Sequence, residues 1–195
     1  MKIGIDIDGV LCNWAQGFHN LLCDVVGEKR PFVVPTQWDL GNTSWTPEQI
    51  DLGWEAIRNT RDWWITLEPY RDNVNALRAF FGGGDDFYYV TSRTPSDGFS
   101  VLKQTQHWLD SLDLLLHGCS ILVVDKPSFK RNVVLGLALD KFIDDKLETV
   151  VDGHPSTDWY LLSREWNKSG RPNNIKVVDT LEEYLNAPVC RLPPG

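Results

Sequence analysis

"KIGIDIDGVLCNW", residues 2–14, decides how the rest of the chain is read. It begins as a buried strand, with Ile3, Ile5 and Ile7 in alternation, yet it carries carboxylates at Asp6 and Asp8. Burying carboxylates without partners is expensive, so a strand closes on acids only where something neutralises them. Side chains at i and i+2 of an extended chain leave the same face. A strand over residues 2–8 would therefore aim Asp6 and Asp8 into one crevice, unless the chain bends after it.

The segments that follow alternate between two periodicities. Trp14, Phe18, Leu21, Leu22 and Val25 recur at helical spacing up to a stop at Gly27, which predicts a helix over 14–26. Residues 28–46, with Pro31, Pro35, Gly41 and Asn42, read as loop, and Thr46-Pro47 opens a helix to residue 59. A helix over 72–81 ends at Gly82-Gly83-Gly84. Strands are expected at 87–91, 120–124, 142–144, 159–162 and 175–178, with helices at 100–115, 129–139 and 180–186. Short apolar strands separated by helices predict an α/β fold, a Rossmann-like parallel sheet with helices on both faces. Ligands bind such sheets beyond the carboxyl ends of the strands. Asp6 and Asp8, Thr91 and Ser92, and Asp144 and Asp145 each close a strand, so all three groups should face one crevice.

Composition narrows the function classes. The 195 residues suit one domain with an insertion, and a formal net charge of −8 argues against a nucleic-acid polymer or an anionic membrane as partner. No apolar stretch approaches the ~20 residues of a membrane span. Asp6 and Asp8 interrupt what would otherwise resemble a signal peptide, so a cytoplasmic protein is expected. Cys12, Cys23, Cys119 and Cys190 show no metal-ligand spacing and read as small buried residues in a reducing compartment. Of nine tryptophans, Trp14, Trp38, Trp45, Trp54, Trp63 and Trp64 crowd the first third and hint at an aromatic-lined pocket. Trp14 and Trp64 are the expected pocket residues, whereas Trp38, Trp45 and Trp54 are expected to pack helices.

Four acids in one crevice raise one another's pKa and destabilise the fold unless a cation joins them. The natural neutraliser is Mg²⁺, a hard ion that takes one or two carboxylates plus water and substrate phosphate. An aspartate beside such an ion can attack phosphorus, and a neighbour two residues on can act as acid and base. Thr91, Ser92 and a lysine could hold the oxygens as charge moves. Two lysines suit that role. Lys130 lies fourteen residues before Asp144, with Val133, Val134 and Leu137 on the intervening helix, and is favoured; Lys126 sits directly at a strand end.

These motifs, "DIDGV" (6–10), "YYVTSR" (88–93), a downstream lysine and "FIDDK" (142–146), resemble in order the four motifs of the haloacid dehalogenase (HAD) superfamily. The resemblance implies a HAD-like core (1–13 and 68–195) with a small helical cap (14–67). It makes Asp6 the nucleophile and Asp8 the acid/base, with Thr91 and the lysine on phosphate. Asp6, the Asp8 backbone carbonyl, Asp144 and Asp145 would hold Mg²⁺. "DGVLCNWAQGF" (8–18) and "DWWITLEPYRDNVNAL" (62–77) are similar to the 5′(3′)-deoxyribonucleotidase branch, in which Trp14 would stack on a base. "YLLSREWNKS" (160–169) resembles a stretch of bacterial members, with Glu165-Trp166 in place of Pro-Tyr. Arg93, beside the phosphate motif, is expected to hold phosphate, recognise the sugar or lie on the surface. The implied substrate is a small phosphomonoester, a nucleoside monophosphate first. A sugar phosphate or other metabolite, or a non-catalytic binding role, stands as the alternative.

Overall fold

Strand β1 (Lys2–Ile5) is buried at every position after its first, as an apolar strand flanked on both sides must be. A computed structural model of the chain describes residues 1–38, 40, 43–115 and 118–189. Cys190 and the expected loop residues Gly41 and Asn42 lie outside these. The other strands are β2 (Asp86–Ser92), β3 (Cys119–Val124), β4 (Lys141–Asp144), β5 (Asp158–Leu162) and β6 (Lys176–Val178). They form one all-parallel sheet in the order β3-β2-β1-β4-β5-β6. The chain runs outward from β1 through β2 to β3, then returns to β1's other side as β4. That reversal makes a crevice beyond the carboxyl end of β1. Ile5 pairs in register with both Tyr89 and Ile143, which sets Asp6 level with Asp144.

The helices form where their ends are capped. In α1 (Trp14–Val26) the Asn13 side chain accepts the Gln16 N–H, and Gly27 closes the helix in the left-handed region at φ 73°. In α2 (Pro47–Asn59) Thr46 and Gln49 cap each other's backbone, with Pro47 in the first turn. Both helices are inserted between β1 and β2. They pack so tightly that a Cβ on Gly53 would lie 2.6 Å from Leu22 and 2.8 Å from Phe18. Phe18, Leu22 and Ile57 share one apolar cluster with Ile3, Ile5 and Tyr89 of the sheet.

The remaining helices are α3 (Arg71–Phe80), α4 (Val101–Ser111), α5 (Lys130–Gly136), α6 (Leu147–Val151) and α7 (Leu181–Asn186). α6 is absent from the sequence reading because five residues are too few to show a 3.6-residue period. Buried Lys141 closes α7, its Nζ donating to the carbonyls of Tyr184 (2.9 Å), Leu185 (2.8 Å) and Ala187 (3.1 Å). Among the described residues no helix is long and apolar enough to cross a membrane. Cys12, Cys23 and Cys119 are free thiols.

Candidate active site

β1 ends at Ile5, three residues earlier than the sequence suggests, because the chain turns sharply there. The Ile7 carbonyl accepts the N–H groups of Val10 (3.2 Å), Leu11 (2.7 Å) and Cys12 (2.9 Å), and Gly9 takes φ 81°. The turn separates the two acids that an extended strand would have kept parallel. Asp6 stays with the sheet, its N–H on the Ile143 carbonyl at 3.0 Å, while Asp8 faces another set of partners.

Asp6 meets Asp144 and Asp145, all three buried, with one carboxylate oxygen from each lying within 4.8 Å of the others. Lys130 Nζ bridges Asp6 Oδ2 (2.6 Å) and Asp144 Oδ2 (2.8 Å). Of the two candidate lysines, Lys130 therefore reaches the acids; Lys126 is exposed. Helix α5 starts at Lys130, so the packing of Val134 on the sheet fixes where its ammonium can reach. Burial, helped by Asp144 and Asp8, pushes the Asp6 carboxyl up to about 8 against the pull of Lys130. Burial likewise drives Asp145 well above the usual carboxylate range, with Asp144 and Asp6 adding to it.

The donor set fits Mg²⁺. Three carboxylates against one ammonium leave two negative charges, which one divalent cation balances. Asp145 Oδ2 accepts the Trp166 indole N–H at 2.9 Å, but its buried Oδ1 has no hydrogen-bond partner. An orphaned hard oxygen in an acidic cluster is the position a cation would fill. Gly9 makes room for the Asp145 carboxylate: a Cβ there would stand 2.1 Å from Asp145 Oδ2, in a left-handed conformation besides. Gly9→Ala is accordingly expected to destabilise the fold by about 1–3 kcal/mol and to displace Asp145. Thermal melts with and without Mg²⁺ check this: the variant should melt lower and gain less from the ion. An unchanged response would separate Gly9 from the acidic cluster.

Asp8 is held differently. Its carboxylate accepts Arg93 Nη2 (2.8 Å) and Nε (2.9 Å), Thr91 Oγ1 (3.0 Å) and Cys12 Sγ (3.0 Å). Burial pushes Asp8 up, but Arg93 above all, with Cys12 and Thr91, outweighs it and keeps the carboxyl below its usual range. The Asp8 carboxylate lies outside the acidic cluster, which leaves its backbone carbonyl for the metal role that the resemblance implies. Two expectations are corrected here. Thr91, fully buried, gives its hydroxyl to Asp8 rather than to the cavity, because strand alternation turns it away from Ser92, which does line the cavity. Arg93 lines the cavity as expected but is no surface residue: its side chain is 0% exposed and engaged with Asp8, with Nη1 on Thr105 Oγ1 at 3.1 Å.

A cavity of about 730 Å³ opens over Asp6, Asp8, Lys130 and Asp144. Its other walls include Trp14, Trp38, Trp54 and Trp64. Trp14 stands edge-on to Trp38 (6.0 Å) and Trp54 (5.8 Å), and Trp64 is pinned by its indole N–H to the Thr94 carbonyl at 2.8 Å. Trp45 packs as expected, donating to His19 Nδ1 at 3.2 Å beneath Arg30. Trp54 packs on Phe18 at 4.9 Å as expected and lines the cavity as well, and Trp38 lines it beside Trp14; helical spacing cannot say which side of a half-buried indole faces a cavity. Cys12 and Trp166 were missed as contributors. Cys12 shares the short loop with Asp8, and that proximity was its only signal. Trp166 sits in the stretch that departs from the resembled pattern.

No protein-family model and no curated protein matches the chain. Solved structures do match its fold. A HAD-superfamily hydrolase, subfamily IA, variant 1, from Geobacter sulfurreducens PCA is 15% identical, with a TM-score of 0.55 over 94% of this chain and 97% of that one. A D,D-heptose 1,7-bisphosphate phosphatase from B. bronchiseptica, complexed with magnesium and phosphate, is 11% identical, with a TM-score of 0.52 over 95% and 96%. An L-2-haloacid dehalogenase from Xanthobacter autotrophicus, with chloropropionic acid covalently bound, is also 11% identical, at 0.52 over 94% and 96%. At such identities the likeness establishes the fold, which hosts both phosphatases and dehalogenases.

Proposed function

We propose that this chain, which has the haloacid dehalogenase fold, is a Mg²⁺-dependent phosphomonoesterase acting on nucleoside monophosphates, with residues 14–67 as its cap. The observation that carries the phosphatase reading is the convergence of Asp6, Asp144 and Asp145, one oxygen of Asp145 lacking a hydrogen-bond partner and Lys130 lying between the other two acids. A dehalogenase acting on a neutral carbon–halogen bond has no need of that cation site; a dianionic phosphate does. Asp6, Asp144, Asp145 and the Asp8 carbonyl would hold Mg²⁺. Bound there, the ion would offset the acids' charge and polarise a phosphate oxygen.

Asp6 attacks phosphorus through one carboxylate oxygen as the ester oxygen leaves, giving an acyl-phosphate. Lys130 stays protonated, since Asp144 and Asp6 outweigh the burial that would discharge it, and so it balances charge on the transferring group. Asp8, held ionised by Arg93, takes a proton from the water that cleaves the acyl-phosphate and passes it to solvent, while the leaving alcohol draws its proton from solvent. Arg93, Thr91 and Cys12 fix its position for that exchange. Water supplies one oxygen and the released phosphate carries it away, which restores Asp6.

The tryptophan walls support the nucleotide. A base is a flat apolar plate, and stacking it on an aromatic ring contributes ~1–3 kcal/mol. The test is phosphate release from nucleoside monophosphates and sugar phosphates of equal charge. Nucleotides should be preferred, and Trp14→Ala should raise their KM about tenfold or more, with a smaller change for sugars. Equal rates across the two series, or equal Trp14→Ala effects, would replace the nucleotide with a sugar phosphate or other metabolite.

A further inference from the structure

Beside the cavity over Asp6 lies a second groove of about 920 Å³, and the two share Trp38, Pro127 and Lys146. Lys146 is the seam. Its backbone N–H donates to Asp144 Oδ1 at 2.8 Å, while its ammonium leans over the Trp38 ring at 5.1 Å. Lys126 and Arg131, from the turn after β3 and the first turn of α5, reach the same groove. None of these three cations forms an ion pair with a described carboxylate. Glu148 and Asp152 also line the groove, from α6 and its end. Three cations against two carboxylates still leave a positive groove in a chain of net charge −8.

Lys130 and Arg93, two of the three cations lining the inner cavity, are spent on Asp6, Asp144 and Asp8; the third is Lys146, at the seam. A substrate with one phosphate bound at Asp6 would leave Lys126 and Arg131 with no phosphate to hold, and Lys146 at the seam would serve one side only. We infer that the groove is a second phosphate subsite and that the preferred substrate is a bisphosphate. One phosphate is cleaved at Asp6 with one water consumed. The other rests among Lys126, Arg131 and Lys146 and leaves on the product. The inference rests on the phosphomonoesterase reading and deepens it, but it does not require the organic part to be a nucleoside.

The experiment measures phosphate release from a nucleoside 3′,5′-bisphosphate and a hexose 1,6-bisphosphate, each against its monophosphates, with an aryl phosphate as reference. In one of the two series the bisphosphate should show a kcat/KM at least about tenfold higher, the scale three partly exposed cations can supply together. That ratio should fall towards one in the Lys126→Ala/Arg131→Ala double variant and shrink as salt is added. Both substitutions are at exposed positions, so the fold should survive them, and a thermal melt verifies it. Turnover of monophosphates with no preference for either bisphosphate would overturn the second subsite and leave the phosphomonoesterase standing. A preference that survives the double variant would overturn the assignment to these residues. No release from any substrate, the aryl phosphate included, would remove the phosphomonoesterase reading and this inference with it.

Discussion

Asp6→Asn is expected to lower phosphate release by at least about a thousandfold, because an amide cannot form the acyl-phosphate and no neighbour can replace it. The other acids are committed elsewhere. Asp8 is gripped by Arg93, Thr91 and Cys12, and Asp144 is bonded to Lys130 and to the Lys146 N–H. Asp145 lies against Trp166. The substitution is nearly isosteric and removes one of three mutually repelling carboxylates, so the metal-free variant should melt no lower than the parent. That pairing of results is informative. A catalytic loss with an intact melt assigns the loss to chemistry, whereas a loss accompanied by unfolding would not. Acid-quenched parent enzyme should also carry phosphate on Asp6, detectable by mass spectrometry. Activity within tenfold of the parent would exclude Asp6 as the nucleophile.

The backbone of this arrangement is legible in the sequence because strand ends are. Short apolar runs announce β1, β2 and β4, and polar residues at their ends mark the crevice. Helices with side-chain caps are equally plain: Thr46 and Pro47 fix the start of α2. What the sequence hides is where a side chain goes once the strand has ended. Asp6 and Asp8 look equivalent on paper, yet the turn on the Ile7 carbonyl sends one to Lys130 and the other to Arg93. Arg93 reads as a free phosphate ligand until the fold supplies a carboxylate eighty-five residues away to claim it. The choice between Lys126 and Lys130 turns on the same point. The fourteen-residue spacing to Asp144 favours Lys130, and the helical rise after the Pro127–Phe129 turn is what aims it back at the sheet. Trp166 meets Asp145 across twenty-one positions, and its hydrogen bond leaves the other carboxylate oxygen of Asp145 as the orphan.

Lys130 is the residue on which the metal-free cluster should depend most. Its side chain is 5% exposed and it touches two carboxylates whose own side chains are 4% and 0% exposed, so none of the three charges is relieved by solvent. Removing one member of a buried ion pair costs about 3–5 kcal/mol because the charge left behind has no partner. Here Lys130→Met would leave three acids with no cation among them, a loss that denaturant unfolding without metal should record. The methionine is close in length, so the deficit would be electrostatic rather than a cavity. Mg²⁺ should then restore part of what was lost, since an ion held only by the folded state stabilises it by ~2.7 kcal/mol at a hundred times its dissociation constant. The same ion should add less to the parent, in which the cluster already has one counter-charge. Lys126→Met, at an exposed position, should shift stability by no more than about 0.5 kcal/mol. If the two variants unfold alike, or if Mg²⁺ fails to favour Lys130→Met, the acids are not held together by Lys130 and the cation site proposed between them loses its electrostatic basis.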